Sequence, residues 1–121
     1  ANVQWRLPAV TGGLAPGVLR NTLDFIDAHL GDPLTLAELA AQATLSEYHF
    51  ARMFRQSVGL APHQYVMQRR MDKAQQLVRH TALPLTDIAL SCGFSSASHF
   101  SNRFKAVTGT TPSQLRAGLA R

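Results

Sequence analysis

The sequence of 121 residues contains a single cysteine, Cys92, and no long hydrophobic run. One cysteine cannot form an internal disulfide and is compatible with a reducing compartment. No apolar stretch approaches the roughly 18 residues that a membrane span needs, and the start lacks the basic-then-apolar pattern of a signal peptide. We therefore expect a cytoplasmic protein without a membrane partner.

Motifs for metal binding and catalysis are also missing. The five histidines and seven acidic residues show no H-x-x-x-H, C-x-x-C or clustered carboxylate spacing. Cys92 ends a predicted short helix on the side that should face the core, where it is expected to act as a small hydrophobic residue rather than a nucleophile. These absences predict no metal, no cofactor and no enzymatic activity.

Basic charge is present and unevenly distributed. The formal net charge is +5 and the sequence pI is about 10.4. Residues 1–51 contain two arginines and five acidic residues, whereas residues 52–121 contain ten basic residues and two acidic ones. A basic excess of this kind suits a polyanionic partner.

The sequence also repeats one pattern about fifty residues apart. The offset is 49 up to the pair Ser46 and Ser95, and it is 50 from the pair His49 and His99, so the second copy has one extra residue at its turn. Each copy predicts a helix, a tight turn and a second helix with an apolar inner face. Two such units in a basic chain indicate double-stranded DNA as the partner.

The predicted fold is all-α, with two helix-turn-helix subdomains joined by a long linker helix. We place the first unit at about 18–61, the linker helix at about 62–80 and the second unit at about 84–121. Residues 1–17, rich in glycine and proline, are interpreted as a linker or tail. Because the chain begins at Ala1, we interpret it as a fragment and this tail as the remnant of a connection to an absent N-terminal domain.

Capping signals place the individual helices within these units. Thr35 with Glu38 and Thr111 with Gln114 form two capping boxes, and Gly59 and Gly109 each end a helix. No segment predicts a strand. The predicted helices cover residues 18–30, 36–43, 47–58, 62–80, 85–92 and 96–108, followed by a short last helix after Thr111.

The second helix of each unit has two distinct faces. Its predicted buried stripe is Phe50, Phe54 and Val58 in the first unit and Phe100, Phe104 and Val107 in the second. Small side chains on the opposite stripe allow close approach to a major groove, arginine or asparagine can read base edges, and a flanking cation can hold phosphate. That exposed stripe contains Glu47, Tyr48, Ala51, Arg52 and Arg55 in the first unit, and Ala97, Ser98, Ser101, Asn102 and Lys105 in the second.

These segments resemble a known family. The stretch that begins SEYHFARMFRQSVG and, above all, the motifs DIALSCGF, SHFSNRFK and GTTPSQLR are similar to the DNA-binding domain of AraC/XylS-type transcriptional regulators, over residues 18–117. The resemblance implies two helix-turn-helix units on a rigid linker, with their recognition helices in successive major grooves. It also makes RNA polymerase a candidate partner, and we expect one chain, a monomer, per DNA site.

The resemblance also implies which residues contact DNA. At Asn102 the sequence departs from the family, whose members often carry arginine there, and the cation follows at Arg103. The base-reading positions are Tyr48, Ala51 and Arg52 in the first unit, and Ala97, Ser98, His99, Ser101 and Asn102 in the second. The residues that we assign to phosphate contacts are Ser46, His49, Arg55, Ser95, Arg103 and Lys105.

Two other functions compete with DNA-binding regulation. A protein-interaction module could use the same scaffold without binding DNA, but the basic exposed faces of both recognition helices argue against it. An enzyme that acts on nucleic acid would need paired carboxylates, a metal cluster or an activated nucleophile, and the sequence offers none of these.

Overall fold

The computed structural model of the protein describes residues 13–119, and this part of the chain is all-helical, as predicted. The predicted helices are all present, with ends that differ by at most two residues. Their bounds are α1 Pro16–Ala28, α2 Leu36–Gln42, α3 Glu47–Val58, α4 Pro62–His80, α5 Leu85–Ser91, α6 Ala97–Thr108 and α7 Pro112–Leu119.

The described residues divide into two compact units. The first contains the residues up to His29 and Leu34–Met67, and the second contains Leu30–Pro33 and the residues from Gln68 onward. Each unit contains one helix-turn-helix pair, α2–α3 in the first and α5–α6 in the second. Helix α4 has the bounds predicted for the linker helix, and the division between the units falls within it.

Aromatic side chains dominate the core of the first unit. Phe50 and Phe54 of α3 are fully buried together with Ile26 of α1. The ring centroids of Phe50 and Phe54 lie 5.6 Å apart, and Tyr65 of α4 meets Phe54 edge-on at the same distance. Burial of each large apolar side chain contributes about 1.5–3 kcal/mol, so this cluster holds α3 in place.

The first unit also begins earlier than predicted. Helix α1 starts with Pro16 in its first turn, a position where proline is favourable because its missing N–H would have no helical partner. Leu14 is 3% exposed, and its amide donates to Ser57 Oγ at 2.8 Å. The predicted tail therefore ends before Leu14, while residues 1–12, including Trp5, lie outside the described part of the chain.

The core of the second unit repeats the arrangement of the first. Phe100 and Phe104 of α6 are buried with Ile88 of α5 and with Phe94. The predicted core position of Cys92 is confirmed, since its side chain is fully buried. Each recognition helix is thus attached to its unit through two phenylalanines at i and i+4.

The prediction that Val107 is buried is wrong, because its side chain is 56% exposed. The inner stripe of α6 continues at i+4 spacing, from Phe100 and Phe104 to Thr108, whose Oγ1 donates to the Phe104 carbonyl at 2.9 Å. Val107 corresponds to Ser57 in the first unit, which accepts the Leu14 amide. Val58, at the position equivalent to Thr108, is half-buried.

The two tight turns share a backbone conformation but not a residue type. Thr44 has φ 55° and Gly93 has φ 85°, and the next amide in each turn donates to the carbonyl of Ala40 or Ala89 at 3.0 and 2.9 Å respectively. A Cβ on Gly93 would lie 2.6 Å from the Leu30 carbonyl oxygen. The second turn therefore requires glycine for space as well as for conformation.

Candidate nucleic-acid interface

Helix α3 presents the predicted recognition face of the first unit. Ser46 caps the helix by accepting the His49 amide at 3.2 Å, and Gly59 ends it in the left-handed conformation. Tyr48 is 71% exposed. Arg52 is also exposed, whereas Ala51 is half-buried. The other candidate residues of this helix and its cap are exposed as well, namely Ser46, Glu47, His49 and Arg55.

Helix α6 presents the corresponding face of the second unit. Ser96 caps it by accepting the His99 amide at 3.0 Å, and Gly109 ends it. Ser101 is half-buried, like Ala51 in the first unit. The remaining candidates are exposed, namely Ser95, Ala97, Ser98, His99, Asn102, Arg103 and Lys105. Most of the predicted DNA-contacting residues of both units are therefore exposed, and they lie on these two helices or just before them.

The structure corrects one pairing in the sequence repeat. The sequence pairs Ser46 with Ser95, but the cap equivalent to Ser46 is Ser96. Ser46 Oγ performs two tasks, because it accepts the His49 amide and also contacts the ring nitrogen Nδ1 of His49 at 3.1 Å. In the second unit Ser96 takes over the cap, and Ser95, the extra residue of the turn, contacts Nδ1 of its histidine.

Four cations on the recognition helices have no carboxylate partner in the part of the chain that the structure describes. Within residues 13–119, Arg52, Arg55, Arg103 and Lys105 make no ion pair. Arg69, in contrast, is paired with Asp72 on α4 at 3.3 Å. Unpaired exposed cations can contact phosphate oxygens without first breaking an intramolecular bond.

Two further arginines bind backbone carbonyls instead. Arg70 donates through Nε to the Leu30 carbonyl at 2.9 Å and through Nη2 to the Asp32 carbonyl at 2.8 Å. Burial lowers the pKa of the Arg70 guanidinium, which nevertheless stays charged at neutral pH. Its planar group lies against the turn at Gly93, where Nε would be 2.7 Å from an added Cβ.

Arg116 of α7 satisfies the end of helix α4. It donates to four carbonyls of the second unit, those of Leu77, Val78, Thr81 and Leu83, at 3.4, 3.4, 3.0 and 2.5 Å. Sequence reasoning missed this role. A signal was present, since α4 ends without a glycine and its last carbonyls need other donors.

Other kinds of site find no support in the described part of the chain. Among residues 13–119 no group of three or more histidine, cysteine or acidic side chains could hold a metal ion. The helices found there are too short or too polar to cross a membrane.

Comparison with known proteins identifies the domain. Residues 39–118 match the model of the helix-turn-helix domain family. The probable transcriptional regulator LumQ of Photobacterium leiognathi is 38% identical over 93 residues, which make up 77% of this chain and 38% of that protein. The chain therefore spans little more than a third of the length of the curated relatives it matches.

Two crystal structures extend this comparison. The DNA-binding domain of AdpA, a global transcriptional factor in complex with a target DNA, is 30% identical with a TM-score of 0.77 and covers 83% of this chain and 90% of that one. A regulator with an AraC-type DNA-binding domain from Chromobacterium violaceum is 30% identical with a TM-score of 0.77 and covers 87% and 94%. The family consists of DNA-binding regulators and not of enzymes. The chain belongs to the helix-turn-helix family and is an AraC-type DNA-binding domain.

Proposed function

We propose that the protein regulates transcription by binding a specific double-stranded DNA sequence with both helix-turn-helix units. The observation that carries this proposal is the matched pair of outer faces. Each has small or polar side chains near the helix start and two cations that form no ion pair within residues 13–119. The crystal structure of the related AdpA domain with its target DNA supports the same mode of action.

In the first unit, Arg52 has the central role. Its exposed guanidinium can donate two hydrogen bonds to the major-groove edge of guanine, which is the commonest specific contact of this kind. Tyr48 and Ala51 lie on the same face and complete the base-reading set. Ser46, His49 and Arg55 surround this face and are assigned to phosphate oxygens.

In the second unit, asparagine replaces arginine as the base reader. The side-chain amide of Asn102 can pair with adenine through one donor and one acceptor. Arg103 and Lys105 lie beside it as phosphate contacts, together with Ser95. The other base-reading positions that we propose for this helix are Ala97, Ser98, His99 and Ser101.

The two recognition helices occupy successive major grooves of a single site. Because their exposed residues differ, with Arg52 in one and Asn102 in the other, the preferred sequence is asymmetric rather than palindromic. One chain, as a monomer, binds each site. We also propose RNA polymerase as a protein partner and the cytoplasm as the location.

Selection of bound sequences from a random duplex pool, followed by footprinting, tests the proposal. We expect one asymmetric consensus, two adjacent protected grooves about one DNA turn apart, ~34 Å, and one chain per duplex. Protection of one groove only, or two chains on a palindrome, would contradict this mode of docking. Failure to enrich any sequence would instead favour a protein-interaction module.

A further inference from the structure

Each recognition helix carries a histidine whose ring is held by a serine. Ser46 Oγ lies 3.1 Å from Nδ1 of His49, and Ser95 Oγ lies 3.4 Å from Nδ1 of His99. Both histidines are exposed, and their other ring nitrogen, Nε2, makes no hydrogen bond with any residue in 13–119. In both units the serine therefore contacts Nδ1, and Nε2 has no partner within residues 13–119.

Aromatic contacts restrain the two rings further. The rings of Tyr48 and His49 form an edge-to-face contact with centroids 5.9 Å apart, and those of Phe94 and His99 form a similar contact at 5.7 Å. Phe94 is itself buried, so the ring of His99 rests on the core of its unit. A side chain restrained in this way loses less conformational entropy when it binds a ligand.

A serine hydroxyl that donates to Nδ1 determines which ring nitrogen carries the proton. A neutral imidazole has one donor and one acceptor nitrogen. Ser46 Oγ already accepts the His49 amide, so its hydroxyl proton is free to donate to Nδ1. Ser95 Oγ has no other hydrogen-bond partner within residues 13–119, and its proton also has Nδ1 as the available acceptor. An accepting Nδ1 leaves the ring proton on Nε2.

Within residues 13–119, no charged side chain forms an ion pair or hydrogen bond with the imidazole of His49 or His99. Helices α2 and α5 pack against the two recognition helices, and α7 contacts the second one. Glu38 of α2 binds the backbone amide and hydroxyl of Thr35, and Arg116 of α7 binds carbonyls. Asp87 of α5 makes no ion pair or hydrogen bond with either imidazole.

Building on the proposed function, we infer that Ser46 and Ser95 act on DNA through His49 and His99 rather than by direct phosphate contacts. They are positioning residues that keep both rings in the Nε2–H form. Each neutral ring then donates one hydrogen bond to an acceptor atom of DNA. The acceptor is a phosphate oxygen or the edge of a base, since both accept from an N–H group. Each unit thus contributes one contact that does not depend on a cation.

The second unit allows the positioning role to be separated from helix capping. Ser95→Ala and His99→Ala should each weaken duplex binding about 2- to 12-fold, the range for one neutral hydrogen bond. Because Ser95 acts through His99, the double variant should bind no more weakly than His99→Ala alone. Ser95→Thr, which keeps a hydroxyl, should retain binding. Additive losses from the two changes would overturn the inference.

Ser96→Ala is the matched control. It removes the cap of α6, so it should lower the melting temperature, and its effect on binding should add to that of His99→Ala. Comparison of the selected duplex with a scrambled one then identifies the acceptor. If His99→Ala loses equal affinity for both duplexes, the acceptor is a phosphate oxygen. If it loses more affinity for the selected duplex, the acceptor is a base edge. Both results support a donor role for the ring.

Long-range proton–nitrogen NMR spectra of the free protein at pH 8 test the ring directly. We expect the Nε2–H tautomer for His49 and His99, and a shift toward a mixture of tautomers for His99 in Ser95→Ala. A dominant Nδ1–H tautomer in the unaltered protein would overturn the inference. These spectra need no DNA, so a chain that bound no duplex would refute the proposed function and leave the tautomer result standing.

Discussion

The two helix-turn-helix units have the same order of helices but differ in charge. By sequence, the first compact unit contains four basic and four acidic residues, whereas the second contains eight basic and three acidic ones. Arg52 and Arg55 of the first unit are thus balanced by acids elsewhere in that unit. We expect the first unit to contribute more base-specific energy, because it has Arg52, and the second unit to contribute more long-range attraction to phosphate.

Fewer cations of the second unit are available to bind phosphate than its sequence suggests. Arg70 and Arg116 donate to backbone carbonyls, and Arg69 is paired with Asp72. Three of its basic side chains are therefore already engaged. Arg103 and Lys105 have no such partner within the described residues, which makes them the main phosphate contacts that we propose for this unit.

Loss of the inner aromatic side chains is expected to have the largest effect, and it should be equal in the two units. Phe54→Ala and Phe104→Ala should each lower the free energy of unfolding by ~3–5 kcal/mol, because each leaves a large cavity at a fully buried site. Urea and thermal melts measure this. Gln56→Ala, at an exposed site on α3, is the control. Unchanged melts combined with lost DNA binding would mean that the helix faces are reversed.

Replacement of an exposed cation should affect DNA binding differently in the two units. Arg52→Ala should weaken binding by ~1–3 kcal/mol and relax base preference at one or two positions, as expected for a lost bidentate contact. Lys105→Ala should weaken binding to all duplexes alike. Titration of both variants with selected and scrambled duplexes measures the difference. If Arg52→Ala lost equal affinity for both duplexes, that residue would be a phosphate contact instead.

The tight turns should respond in opposite directions. Thr44→Gly should stabilise the first unit by about 0.5–1 kcal/mol. Threonine is strained in the left-handed conformation, and the relief of this strain should exceed the entropy that the more flexible glycine loses on folding. Gly93→Ala should destabilise the second unit by at least about 1–2 kcal/mol, since the new Cβ also meets the Leu30 carbonyl. Melting curves of both variants measure these changes. If both variants were more stable than the unaltered protein, or both less stable, the predicted difference between the two turns would be contradicted.

Removal of the buried thiol should also have a small effect. Cys92 occupies the position of Ala43 in the first unit, which is also buried. Cys92→Ala should cost only about 1 kcal/mol, the penalty for a cavity the size of a methyl group. Burial raises the pKa of the Cys92 thiol, so a thiol reagent should modify it much more slowly in the folded protein than in urea. Equal rates in both conditions would contradict its burial.

Local signals predicted the helices well because caps and apolar spacing act within one or two turns. The capping box of Thr35 and Glu38 is present as predicted, and the caps and stop glycines of α3 and α6 lie within one residue of their predicted places. Most of the predicted site residues are also exposed, since the phenylalanine stripe determines which face of each helix is buried.

The remaining features depend on contacts between residues far apart in the sequence. The arginine bonds of Arg70 and Arg116 join residues 33 to 40 positions apart, and no local pattern contains them. Ser57 accepts a hydrogen bond from Leu14, 43 residues away, whereas Val107 at the equivalent position is exposed. The exchange of roles between Ser95 and Ser96 follows from one inserted residue, whose position in the turn the sequence repeat leaves ambiguous.

The central claim, that both units contact DNA, is tested most directly by the salt dependence of binding. Binding of the full chain to its selected duplex should weaken with a log–log slope of roughly −4 to −5 if about five phosphates are neutralised. Combined Arg103→Ala and Lys105→Ala changes should make this slope shallower by about 2. A slope shallower than about −2 in the unaltered protein would contradict docking by both units.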